Sequence, residues 1–185
     1  MNKNDLRTKL KSLRAELDRD TKTEKSNRIF ERVFKMPDFL QSDTVMIYMS
    51  LGNEVETEKL IEYALKIGKN VLVPVTRGDD IFPCKIENPD DVVIGKFGIR
   101  EPKVENIWQG EIDLVIIPGL GFSRAGGRIG FGKGYYDSFL EKRDTKKIAL
   151  AYSFQIVDDT FSDEFDIPMD MIITEEELIC CEKRQ

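Results

Sequence analysis

The segment IIPGLGFSRAGGRIGFGKGYYDSFL, residues 116–140, holds the residue types and spacings best suited to chemistry. Seven of the chain's 13 glycines fall between Gly119 and Gly134. Across residues 118–136 there is no Asp or Glu, while Arg124, Arg128 and Lys133 are present, so the loop is cationic in a chain of net charge −6. Glycines let the backbone turn through positive φ and gather several N–H groups at one point, and a following helix adds the positive end of its dipole. That combination suits a polyphosphate. Residues 127–133 fit GxxxxGK, but Gly134 follows where a P-loop has the Ser or Thr that holds magnesium. Asp137, one turn into the predicted helix, is the carboxylate on offer instead for a magnesium ion bridging the phosphates. The bland alternative is a surface loop with solvated cations. The strand before, the helix after and the carboxylate at the far end favour nucleotide binding.

The chain contains no histidine. Every mechanism built on a Ser-His or Cys-His pair is therefore excluded, and acid-base work falls to carboxylates, lysines, tyrosines or the substrate itself. Cys84, Cys180 and Cys181 have no CxxC spacing, which without histidine argues against structural zinc and reads as reduced thiols. Residues 1–36 hold 11 Lys and Arg against 6 Asp and Glu, a balance of +5 that leaves −11 for the rest. Duplex nucleic acid is a poor partner for that distribution. No run of 18 apolar residues occurs and the start lacks an apolar signal block, so the expected compartment is the cytoplasm. One domain over residues 1–185, a monomer by default, is the expected organisation.

Other positions stand between a functional and an ordinary reading. Lys3 and Arg7, at i and i+4, border a leucine stripe and can reach toward a bound nucleotide or lie solvated. Glu54 follows a predicted strand end, where open α/β sheets bind ligands, but its neighbours Glu56 and Glu58 read as the first turn of a helix. Asp166, before Pro168, suits a turn as well as a metal. Trp108 reads as packing, and Tyr135 and Tyr136 stand out only for their place beside the loop.

With those residues in view, the sequence resembles the 5-formyltetrahydrofolate cyclo-ligase family. The signature is Pro118-Gly-Leu-Gly-Phe122 followed by Gly127-Arg128-Ile-Gly130-Phe-Gly132-Lys-Gly134-Tyr-Tyr-Asp137. Lys3-Asn-Asp-Leu-Arg7, Tyr48-Met-Ser with Glu54-Val-Glu-Thr57, and Phe165-Asp166-Ile-Pro are similar to further family segments in the same order. The resemblance implies ATP contacts from Lys3, Arg7 and the loop Arg128, Ile129, Gly130, Phe131, Gly132, Lys133, Gly134, Tyr135 and Tyr136. It implies folate contacts from Met49, Glu54 and Tyr135, and magnesium held by Asp137 and Asp166. It also implies the three-layer α/β fold of sugar-phosphate isomerase and coenzyme A transferase relatives. The chain departs from the pattern at Ser123, Phe131 and Phe165, where the family commonly has Asp, Arg or Tyr, and His. An aromatic wall for the pterin is the expectation at Phe131.

The implied reaction is phosphoryl transfer from ATP to the formyl oxygen of 5-formyltetrahydrofolate, attack by the second amine, and loss of phosphate to leave 5,10-methenyltetrahydrofolate. Positioning and charge neutralisation dominate such transfers, so Lys133 and Arg128 are the expected catalytic cations and no histidine is needed. Two rivals are a sugar-phosphate isomerase-like enzyme that needs no ATP and a nucleotide- or folate-binding protein without turnover.

These residues need a scaffold. Leu6, Leu10, Leu13 and Leu17 predict an amphipathic first helix. Thr21 and Glu24 have capping-box spacing for a second, with Ile29, Phe30, Val33 and Phe34 on its apolar side and Pro37 as its end. The pair predicts an N-terminal helical hairpin. Apolar runs at residues 45–49, 71–75, 81–86, 114–117, 148–152 and 171–173 then alternate with helices around Leu60 to Leu65, ended by Gly68, and from Tyr135, whose Tyr136, Phe139 and Leu140 face inward. That rhythm predicts an α/β fold with a mainly parallel sheet and helices on both faces. Residues 88–110, with Pro89, Gly95, Gly98 and Pro102, read as a long excursion.

Overall fold

A computed structural model describes residues 2–94, 100–104 and 106–181. Asn2 starts the first helix, α1 (Lys3–Ala15), through a capping box: its side chain accepts from the N–H groups of Asn4 and Asp5, and the Asp5 carboxylate accepts from the Asn2 N–H. Leu6 and Leu10 are buried, whereas Leu17 lies beyond the helix. α2 (Arg19–Val33) begins two residues before the expected Thr21, because Asp18 is the better cap. Its carboxylate accepts from the Thr21 N–H at 2.9 Å and the Thr21 hydroxyl at 2.6 Å, and these bonds hold the Asp18 carboxyl below its usual range. Pro37 does not end α2, which stops at Val33; it opens the short α3 (Pro37–Gln41), where its missing N–H costs nothing.

The strands follow as β1 (Thr44–Ile47), then α4 (Glu58–Lys66), β2 (Asn70–Arg77) and β3 (Asp80–Ile86). After β4 (Val92–Ile94) and β5 (Arg100–Pro102) come β6 (Leu114–Ile117), β7 (Gly121–Ser123) and β8 (Arg128–Ile129). The chain continues through α5 (Tyr135–Glu141), β9 (Lys146–Leu150), β10 (Ile156–Val157), β11 (Met171–Ile173) and β12 (Leu178–Cys180). The main sheet has the order β12-β11-β9-β6-β1-β2-β3, parallel from β11 to β2 and closed at each edge by an antiparallel strand. β1, β6 and β11 are buried at every position, which is why they read as unbroken apolar runs.

Alternate side chains of these strands feed two cores. On one face Val45, Ile47, Val71 and Ile116 pack with Ile29 and Val33 of α2, Phe39 of α3, and Leu60 and Ala64 of α4. On the other face Met46, Leu72, Val115 and Ile117 pack with Phe139 and Leu140 of α5. α1 belongs to neither. Its leucines bury on Leu120, just before β7, and Ile129 of β8, in a separate three-stranded sheet ordered β10-β7-β8, so the expected hairpin splits between two cores. Gly121 permits this seating, since a Cβ there would stand 2.5 Å from Leu10 Cδ1.

Within the excursion at 88–110 a 3-10 turn at Pro89–Asp91 leads to β4, which pairs with β5 so that Pro102 lies opposite Val92, and Ile107 bridges to Cys84. Gly95 and Gly98 lie outside the described residues. The three cysteines are free thiols, and Trp108 packs on the second core with its indole N–H donated to the Glu111 carbonyl. Among the described residues no helix is long and apolar enough to cross a membrane.

The strand order sets the place of the site. The chain runs outward from β1 to β2 on one side, then returns to the other side of β1 for β6, β9 and β11. The loops after β1 and β6 therefore diverge at a topological switch point, where open α/β sheets bind ligands beyond the carboxyl ends of their strands.

Candidate active site

Two adjoining cavities occupy that crevice. The larger, about 480 Å³, is lined by the glycine loop from Gly130 to Gly134, the first turns of α5, Lys3 and Arg7 of α1, Arg128, and a wall from Asp163 to Ile167. The smaller, about 210 Å³, is lined by Tyr48, Met49, Leu51 and Glu54 after β1, Pro74 and Thr76 of β2, Arg100, and Pro118 after β6. Tyr135 and Tyr136 line both. The residues assigned to ATP and to folate thus fall into neighbouring spaces with two tyrosines between them.

Backbone geometry builds the larger cavity. Gly134 caps α5 in the left-handed region at φ 68°, a conformation a side chain would resist, and the turn it makes sets the first N–H groups of α5 at the cavity edge. Arg7 Nε donates to the Gly130 carbonyl at 3.1 Å, tying the loop to α1. Arg128 is only 7% exposed. Its Nη2 donates to Asp137 Oδ2 at 2.8 Å, its guanidinium lies 5.6 Å from the Tyr136 ring centroid, and its Nε has no hydrogen-bond partner among the described residues. Lys133, by contrast, is exposed over the Tyr135 ring at 5.5 Å. Arg124 points to Glu177 instead, at 3.1 Å, and is not in the cavity lining. Ile129 turns its side chain into the core with Leu6 and Leu10, so that member of the loop offers the ligand no side chain.

The opposite wall is acidic. Asp166 Oδ2 accepts from Lys3 at 2.6 Å and from the Asp163 N–H at 3.0 Å. Burial pushes the Asp166 carboxyl up, but those hydrogen bonds and the charges of Lys3 and Arg128 outweigh it and hold it below its usual range. Asp137 Oδ1 accepts from the Ile167 N–H at 3.2 Å, which draws Asp137 and the Asp166 segment together. Lys3 is therefore an ion-pair partner of the acidic wall rather than a solvated cation. Among the described residues no three Asp, Glu, Cys or His side chains gather as a ready-made metal cage. Two carboxylates beside a glycine loop that carries cations are nonetheless an oxygen-only donor set that suits magnesium, whose remaining ligands are ordinarily phosphate oxygens and water.

The smaller cavity has the more apolar lining. Glu54 is 9% exposed, and burial raises its carboxyl above the ordinary value of 4.5 against the opposing effects of the Leu51 N–H, 3.0 Å from Oε2, and of Arg14. Tyr48 donates to the Val55 carbonyl at 2.9 Å and Tyr152 to the Glu54 carbonyl at 3.0 Å, fixing the loop that presents Glu54. Burial raises the phenols of Tyr48 and Tyr136. Glu58 sits in the first turn of α4, as expected, while Glu56 precedes the helix and pairs with Lys22 at 3.2 Å. Phe131 lines the larger cavity, 48% exposed and 5.4 Å from the Arg14 guanidinium, and is absent from the smaller one. The aromatic side chains that line the smaller cavity are instead Tyr48, Tyr135 and Tyr136.

Three contributions escaped the sequence reading: the acidic residues Asp163 and Glu164, Arg14 beside Glu54, and Pro74, Thr76 and Arg100 in the smaller cavity. The run SDEFD carried a signal for the first, being acid-dense opposite a cationic loop. The others depend on tertiary placement.

Known proteins are similar to this chain over most of its length. A sequence model described as the 5-formyltetrahydrofolate cyclo-ligase family matches residues 1–175. A Caenorhabditis elegans protein named "Probable 5-formyltetrahydrofolate cyclo-ligase" is 31% identical, covering 96% of this chain and 94% of its own. The 5-formyltetrahydrofolate cyclo-ligase of Escherichia coli K12 is 26% identical over 89% of this chain and 96% of its own. The NMR structure of Aquifex aeolicus 5,10-methenyltetrahydrofolate synthetase superposes with a TM-score of 0.88 at 31% identity, covering 100% of this chain and 95% of that one.

Proposed function

The chain belongs to the 5-formyltetrahydrofolate cyclo-ligase family, and from that premise we propose that it is a single-domain enzyme closing 5-formyltetrahydrofolate to 5,10-methenyltetrahydrofolate, with ATP converted to ADP and phosphate. The observation that carries this reading is the pair of adjoining cavities, one with a cationic, glycine-built side facing an acidic wall, the other lined mainly by apolar and aromatic side chains around a single carboxylate, with Tyr135 and Tyr136 shared between them. Such a plan suits two substrates whose reacting ends must meet.

ATP lies in the larger cavity, its phosphates along the loop from Gly130 to Gly134 with Lys133 above them and Arg7 and Lys3 at the side. Arg128, buried under the loop, supplies fixed positive charge as the γ-phosphoryl group moves to the formyl oxygen. Folate lies in the smaller cavity with Met49 and Tyr135 against the pterin and Glu54 accepting hydrogen bonds from its edge. Phosphorylation turns a poor leaving oxygen into a good one. The second amine then attacks the activated carbon and loses its proton, and the carbon–oxygen bond breaks so that phosphate departs carrying the former formyl oxygen. Asp137 and Asp166 are the residues that would hold magnesium, which neutralises phosphate charge when bound.

The test is the rise of the methenyl chromophore from 5-formyltetrahydrofolate, with and without ATP and magnesium. Turnover that requires both is expected. Turnover without ATP, or binding of both ligands with no product, would overturn the assignment.

A further inference from the structure

α1 touches both halves of the site. Lys3 and Arg7 line the larger cavity, while Arg14, near the other end of the helix, lies beside Glu54 of the smaller. Steps of four and seven residues put these three side chains on one helical face. The eleven steps from Lys3 to Arg14 span roughly 16 Å at about 1.5 Å each. The same helix therefore reaches from the nucleotide space to the folate space.

Its far end is bolted in place. Asn53 Nδ2 donates to the carbonyls of Arg14, at 2.9 Å, and Leu17, at 3.3 Å, fastening the end of α1 to the loop that carries Glu54. The Arg14 guanidinium lies over Phe131, the residue after the Gly130 that Arg7 grips. Arg14 Nη1 stands 3.9 Å from Glu54 Oε1, buried and without a hydrogen-bond partner among the described residues. That separation is too long for a hydrogen bond, and a buried guanidinium N–H left without an acceptor is costly. Because the Leu51 N–H holds Oε2, the carboxylate can close the gap by pivoting about that oxygen.

We propose that Arg14 is a positioning residue for the smaller cavity: its guanidinium couples Phe131, on the glycine loop, to Glu54, so that nucleotide seated under the loop brings Glu54 to its folate-binding position. The proposal rests on the reading that Glu54 meets the folate. The other titratable groups acting on Glu54 or acted on by it are the phenols of Tyr48, after β1, and Tyr136, in α5; Arg14 is the cation among them.

The experiment compares Arg14→Met, Arg14→Lys, Glu54→Gln and the Arg14→Met/Glu54→Gln double variant. The readouts are KM for each substrate, the pH profile of kcat/KM for 5-formyltetrahydrofolate, and thermal unfolding to establish that each folds. Arg14→Met should raise KM for folate about tenfold and KM for ATP less than about twofold. It should also move the acid limb of the profile to higher pH, since removing a cation favours the protonated carboxyl. Arg14→Lys should return the acid limb close to its parental position. In the Glu54→Gln background the Met substitution should add nothing, as for residues acting in series. Additive losses, or an acid limb that stays put, would overturn the role of Arg14 alone. A Glu54→Gln variant with unchanged folate KM would remove the folate reading of the cavity as well. A second measurement does not depend on substituting Arg14: a non-hydrolysable ATP analogue should tighten folate binding about fivefold in the parent and not in Phe131→Leu. Equal tightening in both would also overturn the proposal.

Discussion

The two cavities solve different electrostatic problems. The larger one, proposed to take ATP, offers many modest contributors: backbone N–H groups, exposed Lys133, and cations whose own partners, Asp166 and Asp137, are already in place. The smaller one, proposed to take the pterin, offers a single carboxylate, buried enough to be pushed up in pKa and surrounded by phenols. Charge spread over several partly exposed groups tolerates the loss of one member; charge concentrated in one buried group does not. Sensitivity to substitution should follow that contrast, with one exception where the two designs meet.

The exception is Asp137, which gives the largest expected effect. It stands in the larger cavity but is paired with the buried Arg128, so Asp137→Asn leaves a guanidinium short of its countercharge. From sequence alone the substitution looks neutral for stability. The observed pairing instead predicts a loss of about 1–3 kcal/mol, read as a lowered Tm, with turnover down about 10²-fold or more and partly restored by excess magnesium. Parental Tm and turnover would place Asp137 among the dispensable members of the wall.

Glu54→Gln should come next, with KM for 5-formyltetrahydrofolate raised about tenfold and ATP binding retained, because one acceptor carries the recognition. An effect no larger than that of a surface substitution would erase the contrast between the cavities. Lys3→Ala with Arg7→Ala should raise KM for ATP by about three- to tenfold and leave that for folate within about twofold. Equal effects on both would show that α1 had simply loosened.

The smallest effect concerns pH. A carboxyl whose folded pKa is raised stabilises the fold below its unfolded value and loses that contribution as pH rises through the folded value. For Glu54 the window opens near 4.5 and extends upward. The Tm of Glu54→Gln relative to the parent should therefore climb as pH is raised from below 4.5 toward 7. A difference that falls over the same interval would mean that Arg14 overrides burial.

Much of this was legible in the residues. The central strands announced themselves as apolar runs because both their faces are covered, and the glycine density between β6 and α5 marked the loop before any geometry was known. What escaped was of two kinds. Local competition hid the start of α2, where Asp18 outcompetes Thr21 as a cap, and the place of Pro37, which opens a helix as readily as it ends one. Short elements hid the second sheet: strands of two or three residues show no periodicity, so nothing in Gly121, Arg128 or Ile156 revealed their pairing. Arg14 escaped for a third reason, since an arginine at the end of an amphipathic helix looks solvated until a loop 40 residues on is folded beside it.

The separate burial of α1 has a consequence for how the molecule opens. Its leucines rest on a cluster of four buried residues, Leu6, Leu10, Leu120 and Ile129, whereas α2 and α4 are built into the large core of the main sheet. Free energies of local opening scale with the apolar surface exposed, so α1 should detach in sub-global fluctuations that leave the main sheet intact. Amide protons of α1 would then exchange sooner than those of β1 and β6, and the nucleotide wall would be lost before the fold is. ATP, bound as proposed against a docked α1, should slow that exchange in proportion to its occupancy.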